Sequence, residues 1–164
     1  MKFLQLLFLL ICITSTAQKS VQEVLEKYNS HTIPYISVEQ LKAIQQKDSL
    51  LILDAREPEE YRVSHLKNAT YIGFKEFSAE VAQQSIPNKN QPIVVYCSLG
   101  VRSEKIGEKL KKLGYTNVRN LYGGIFEWTN NNFLVYNSTH KETDTVHAFN
   151  KRWSKWLIKA KKVY

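Results

Sequence analysis

Cysteine is scarce in this chain of 164 residues, which has two, Cys12 and Cys97. With so few thiols, a cluster of cysteine ligands is excluded. The four histidines, His31, His65, His140 and His147, show neither helical nor hairpin ligand spacing, so no metal is expected. Glycine and proline number only six and four, which excludes collagen-like and low-complexity chains, and the composition is that of a soluble globular protein. Acidic residues stop at Asp144. A membrane-crossing apolar run of about 20 residues is also missing; the longest apolar stretch, Phe3 to Ile13, is short and interrupted by Gln5. The length suits one domain with a full core and is too short for two of ordinary size.

That apolar stretch follows Lys2 and precedes Ser15-Thr16-Ala17, which puts small residues where a signal peptidase reads. The reading is an export signal over 1–17, cut after Ala17, and a periplasmic or extracellular location. The rival readings are a retained anchor and lipidation at Cys12, although Leu10 and Ile11 are larger than a lipoprotein site takes. Cleavage would leave Cys97 as the single thiol of an exported protein, exposed to oxidation and to mixed disulfides. Such a thiol is either a small core residue or a functional one.

The formal net charge of +8 is concentrated at the C-terminus, where Lys151, Arg152, Lys155, Lys159, Lys161 and Lys162 follow the last acid. No pattern of basic and aromatic residues runs through the body of the chain, so nucleic acid is not an expected partner. Within 136–164, a basic amphipathic extension, Val146, Phe149, Trp153, Trp156, Leu157 and Ala160 recur at intervals of three and four. This spacing predicts a helix with an apolar stripe. The stripe either packs on the domain or makes a weak contact with an anionic membrane surface.

Between these ends, apolar runs alternate with helical patterns. Residues 18–35 form a short amphipathic leader, with Val21, Val24, Leu25 and Tyr28 at helical spacing. Ser37 and Gln40 read as a capping box opening a helix, "SLLILDAR" as a strand buried on both faces, and "PEEYRV" as a helix opened by Pro58. "NATYIGF", "PIVVYC" and "NVRNLYGG" are further strands. "KEFSAEVAQQ", "SEKIGEKLKKL" closed by Gly114, and "IFEWTNNN" are further helices, with Phe126 and Trp128 as core plugs. The fold class is α/β, an open and mostly parallel sheet with helices on both faces, plus the C-terminal helical extension. Ligands of such sheets sit beyond the carboxyl ends of the strands, where Asp54 to Arg56 and Cys97 to Arg102 both fall.

In "YCSLGVRSEKIGEKL", Cys97 ends a strand and a helix begins a few residues later. Unpaired amides at that helix start favour negative charge. Gly100 lets the backbone of Ser98, Leu99, Gly100, Val101 and Arg102 turn so that its amides can converge on the sulfur. Arg102 adds a fixed cation. Together these predict a thiolate at neutral pH, and hence a nucleophile.

Three stretches in order, "LILDAREPEEYRVSHLKNA", "YCSLGVRS" and "NLYGGIFEW", resemble the signatures of the rhodanese-like domains, over roughly residues 36–135. The chain departs from that pattern at Ser64 and Asn68, where the family usually shows glycine. The resemblance implies a sulfurtransferase in which Cys97 carries a sulfane sulfur as a persulfide. The Ser98 to Arg102 loop cradles that sulfur, and Arg102 orients an anionic donor. Asp54, Arg56 and Ser103 are support residues. It implies no cofactor; the partners are a small sulfur donor such as thiosulfate and a thiol or cyanide acceptor. From Cys97 to Arg102 the loop has six residues, one fewer than in the related phosphatases and arsenate reductases, which favours a single sulfur atom over a tetrahedral oxyanion. The alternatives are a non-catalytic sulfur- or partner-binding module and, less favoured, a cysteine-dependent phosphatase.

Overall fold

The computed structural model describes residues 20–47 and 49–164, so the expected export signal and Cys12 lie outside the described residues. The elements run α1 (Val21–Tyr28), β1 (Tyr35–Ile36), α2 (Val38–Ile44), β2 (Leu51–Asp54), α3 (Pro58–Val63), β3 (Thr70–Tyr71), α4 (Ala79–Ser85), β4 (Ile93–Tyr96), α5 (Val101–Lys112), β5 (Val118–Leu121) and α6 (Gly124–Asn130). Five parallel strands form one sheet in the order β1-β5-β4-β2-β3. Side chains alternate along each strand. Ile52 and Val94 therefore join one core with Val24 of α1, Leu41 of α2 and Phe126 and Trp128 of α6. Leu53 and Val95 join the opposite core with Ala82 of α4 and Ile106 and Leu110 of α5. Both faces are covered, which is why the strands read as unbroken apolar runs.

Local signals place the helix ends. Ser37 accepts from the Gln40 amide at 3.2 Å while the Gln40 side chain accepts from the Ser37 amide at 3.0 Å. Gly114, at φ +91°, follows α5 where a left-handed residue closes a helix. Asn68 stands at φ +59°, a conformation asparagine tolerates better than most residues. Helix α4 is shorter than expected: it begins after Ser78, whose hydroxyl accepts from the Val81 amide at 3.2 Å, so 75–77 lie outside it. The amphipathic leader folds onto the domain. Its helix α1 has its own capping box, Ser20 with Glu23, and buries Val24 and Leu25 against the domain.

The expected C-terminal helix is not formed. The chain instead makes β6 (Val135–Tyr136) antiparallel to β7 (Glu142–Thr143), then β8 (Thr145–His147) parallel to β9 (Lys161–Val163), joined through a single 3-10 turn at Ser154–Trp156. Val146, Ala148, Trp156 and Leu157 enter the main core from this irregular path. Helical spacing is a weak cause when burial can be had another way, because most helical stability comes from packing. Thr145 and Val146 are also stiff, β-branched residues that suit a strand. Of the expected stripe, Val146, Trp156 and Leu157 are taken into the core while Phe149 stays exposed, and none of the described helices is long and apolar enough to cross a membrane.

Candidate active site

Strands β2, β4 and β5 end on the same rim. Cys97 follows the last residue of β4, with its side chain in a residue only 2% exposed. Two glycines hold the chain there. Gly100, at φ +113°, is the N-cap of α5. Gly124, at φ +56°, packs so tightly that a Cβ would lie 2.2 Å from the Cys97 carbonyl oxygen. This approach lets the amides of Ile125 and Phe126 donate to the carbonyls of Cys97 and Ser98, at 2.9 and 3.2 Å. The loop is therefore tied from behind by α6.

The Gly100 amide donates to Cys97 Sγ at 3.1 Å, and the Ser103 hydroxyl lies 3.5 Å from it. Ser103 has one proton, and its shorter contact, 2.7 Å, is to Asn120 Oδ1. Asn120 in turn donates from Nδ2 to the Gly100 carbonyl at 2.8 Å, and Asn29 donates to the same carbonyl at 3.0 Å. Burial pushes the thiol up; the charge of Arg102 and the hydroxyl and amide hydrogens of Ser103 and Gly100 outweigh it and hold the Cys97 thiol below its ordinary value. The arrangement fits a sulfur anion. Among the described residues, no group of three or more His, Cys, Asp and Glu is placed to hold a metal ion.

Arg102 does not stand free. Its guanidinium donates to both oxygens of Glu60, at 2.6 and 2.8 Å, and to Ser98 Oγ at 2.9 Å, while Ser98 Oγ donates to Glu60 at 3.0 Å. Glu60 is 1% exposed. Burial pushes its carboxyl up, but Arg102 and then Arg56 overcome this and hold it below the usual glutamate range. Leu99 is buried under the loop and Val101 is half-buried in the first turn of α5. Asp54 and Arg56 pair with each other out of solvent at 2.7 Å and do not contact Cys97. They act on the loop through Tyr96, whose hydroxyl donates to Asp54 and accepts from the Leu66 amide.

Residues 37–131 match the model of the family described as the Rhodanese-like domain. This chain belongs to the rhodanese-like family. Among curated relatives of this rhodanese-like chain, it is 43% identical over 91 residues to a tRNA uridine(34) hydroxylase of Aster yellows witches'-broom phytoplasma, a match covering 54% of this chain and 29% of that protein. It is 35% identical over 102 residues to the putative sulfur carrier protein YrkF of Bacillus subtilis, covering 62% and 54%. It is 38% identical over 71 residues to the thiosulfate sulfurtransferase PspE of Escherichia coli, covering 43% and 67%. The matched stretch thus spans about a third to a half of the first two relatives' lengths. Among solved structures, a thiosulfate sulfurtransferase from Pseudomonas aeruginosa shares the fold at TM-score 0.60 and 20% identity, covering 84% of this chain and 25% of that one. A rhodanese-related protein from Thermoplasma volcanium does so at TM-score 0.53 and 26% identity, covering 62% and 96%.

The sequence assigns no site role to Glu60 or Asn120, and it marks Phe149 and Trp153 only as part of the apolar stripe of the C-terminal extension. Glu60 carried one usable signal, its position three residues after Glu57 at a helix start, and it does accept from the Glu57 amide at 3.0 Å. Glu60→Gln is expected to lower stability by about 1–3 kcal/mol, because it leaves the nearly buried Arg102 charge with only Glu57, 4.0 Å away, as a carboxylate partner. The folded Glu60 pKa lies below the unfolded one. Its stabilisation is therefore complete above the ordinary glutamate pKa of about 4.3 and fades as pH falls through the folded value. The variant should lose that acid-side slope in urea midpoints measured against pH, and the Cys97 thiolate absorbance should persist to lower pH.

Proposed function

We propose that this chain is an exported sulfurtransferase that moves a sulfane sulfur from a donor such as thiosulfate to a thiol or cyanide through a persulfide on Cys97. One observation carries the reading: a buried sulfur at a strand end, facing a helix start, receives the Gly100 amide at 3.1 Å beside the Arg102 cation. In the first step the Cys97 thiolate attacks the outer sulfur of the donor. A Cys97 S–S bond forms, the donor's S–S bond breaks, and sulfite leaves with its electron pair. In the second, cyanide or a thiolate attacks the outer sulfur of the persulfide, and the Cys97 thiolate leaves with the bonding pair. The Gly100 and Ser103 amides favour the Cys97 thiolate that starts the first step and leaves in the second. Export rests on the leading residues alone, and the six-residue loop supports sulfur over phosphate.

Mass spectrometry of the purified protein after thiosulfate treatment tests this. A gain of one sulfur on the Cys97 peptide, reversed by cyanide, is the expected result. An unmodified peptide under conditions where a control sulfurtransferase loads fully would overturn it.

A further inference from the structure

Phe149 and Trp153 lie outside the stretch matched to the family, yet both stand over Cys97. Cys97, Ser98, Leu99, Val101 and Arg102 of the loop line a cavity of about 90 Å³ together with these two rings. The Arg102 guanidinium carbon lies over the Phe149 ring, 4.6 Å from its centre. Trp153 is braced on two sides, by Tyr28 of α1 at 5.9 Å and by Trp156 at 5.4 Å between ring centres.

Neither burial nor backbone preference explains Phe149. It is 40% exposed, and it sits at φ +64°, where bulky side chains are outliers. Hydrogen bonds hold it there: its amide donates to His147 Nδ1 at 3.1 Å, and the next amide, Asn150, donates to the Ala148 carbonyl at 2.8 Å. Strain of this kind persists where the surroundings over-determine the conformation, and such places cluster at ligand clamps. The Arg102 guanidinium, meanwhile, gives three hydrogen bonds to Glu60 and Ser98, so its charge is already answered by a carboxylate, and it lies over the Phe149 ring. Arg102, the one cation lining the cavity among the described residues, therefore offers little to a compact dianion.

We infer that Phe149 and Trp153 determine donor specificity, by forming an apolar slot that favours a sulfane-sulfur donor with a flat apolar stem and a single negative charge over thiosulfate. The inference rests on the persulfide reading of Cys97. With benzenethiosulfonate as probe, the Cys97 thiolate takes the terminal sulfur, the S–S bond of the donor breaks, and benzenesulfinate leaves with the electron pair. Charge is conserved and no oxidant is needed.

The test is steady-state transfer to cyanide by the full chain, with benzenethiosulfonate and thiosulfate compared as kcat/KM. The wild-type ratio should favour the aryl donor, and Phe149→Ala and Trp153→Ala should each lower that ratio about tenfold, the size expected when a snug apolar contact is removed. Trp153→Phe, which keeps a ring, should restore most of it. A ratio unchanged in both alanine variants, or both donors slowed by the same factor, overturns the inference. Because Phe149 is partly exposed, Phe149→Leu gives a second variant that folds if Ala at Trp153 does not. Failure of the persulfide reading looks different: folded wild-type protein transfers sulfur from neither donor.

Discussion

The Cys97→Ser protein is expected to fold and to form no thiocyanate above background, a loss of at least about a thousandfold. The hydroxyl takes the place of Sγ with little steric change, and an interior swap of this size costs on the order of 1 kcal/mol. Chemistry is what disappears. The surroundings that hold a thiol below its ordinary pKa act on a group that already ionises near pH 8.5, whereas a serine hydroxyl stays protonated in the same cradle. Ser98 offers no substitute, since its hydroxyl already donates to Glu60 and accepts from Arg102. Thiocyanate formation from thiosulfate and cyanide, read beside a thermal melt, separates the two effects. A folded variant that turned over at the wild-type rate would remove Cys97 from the reaction.

The wild-type rate should also fall as pH drops through the Cys97 pKa, because protonation destroys the nucleophile. That fall lies on the acid side of the ordinary thiol range, in keeping with the direction set by Arg102, Ser103 and Gly100.

Much of this site was legible in the sequence because its parts are local. An apolar run, a cysteine, a glycine and a helix-forming stretch are neighbours in the chain, so strand, turn and helix start follow from a few residues. The five parallel strands follow likewise from runs that suit burial on both faces. Glu60 was not legible, because its meaning depends on Arg102, 42 residues away, and a glutamate on a short helix has a solvated reading that is more common. Asn120 sits inside a strand and shows its role only once β5 lies beside β4. The tail misled for a different reason. Intervals of three and four fit a helix, but Phe149 takes a left-handed turn there, and Val146 and Trp156 reach the core without one. Periodicity states which residues want burial; competition among packings decides the backbone that buries them.

The Asp54→Ala protein is expected to lose about 3–5 kcal/mol, the cost of leaving a buried charge without its partner. Both side chains of the Asp54–Arg56 pair are wholly buried. Arg56 donates from Nε and Nη2 to Asp54 and from Nη2 to the Ser64 carbonyl, and its Nη1 has no hydrogen-bond partner among the described residues. Burial alone would lower the Arg56 pKa; Asp54 and Tyr96 overcome this and keep the cation charged. Removal of Asp54 leaves that cation without its direct partner, with Glu60 as the remaining negative charge acting on it, and it frees the Tyr96 hydroxyl that now anchors the Leu66 amide. Since Tyr96 directly precedes Cys97, the loss should reach the active loop, lowering kcat as well as stability. For a domain of this size the melting midpoint should drop by on the order of 10 °C. Removing both charges in Asp54→Ala/Arg56→Met should recover part of the stability, because no buried ion is then left unpaired. Urea unfolding of the two variants decides the matter: a single variant as stable as wild type, or a double variant less stable than the single by the full cost of a second lost contact, would show that the pair does not carry the charge balance of this rim.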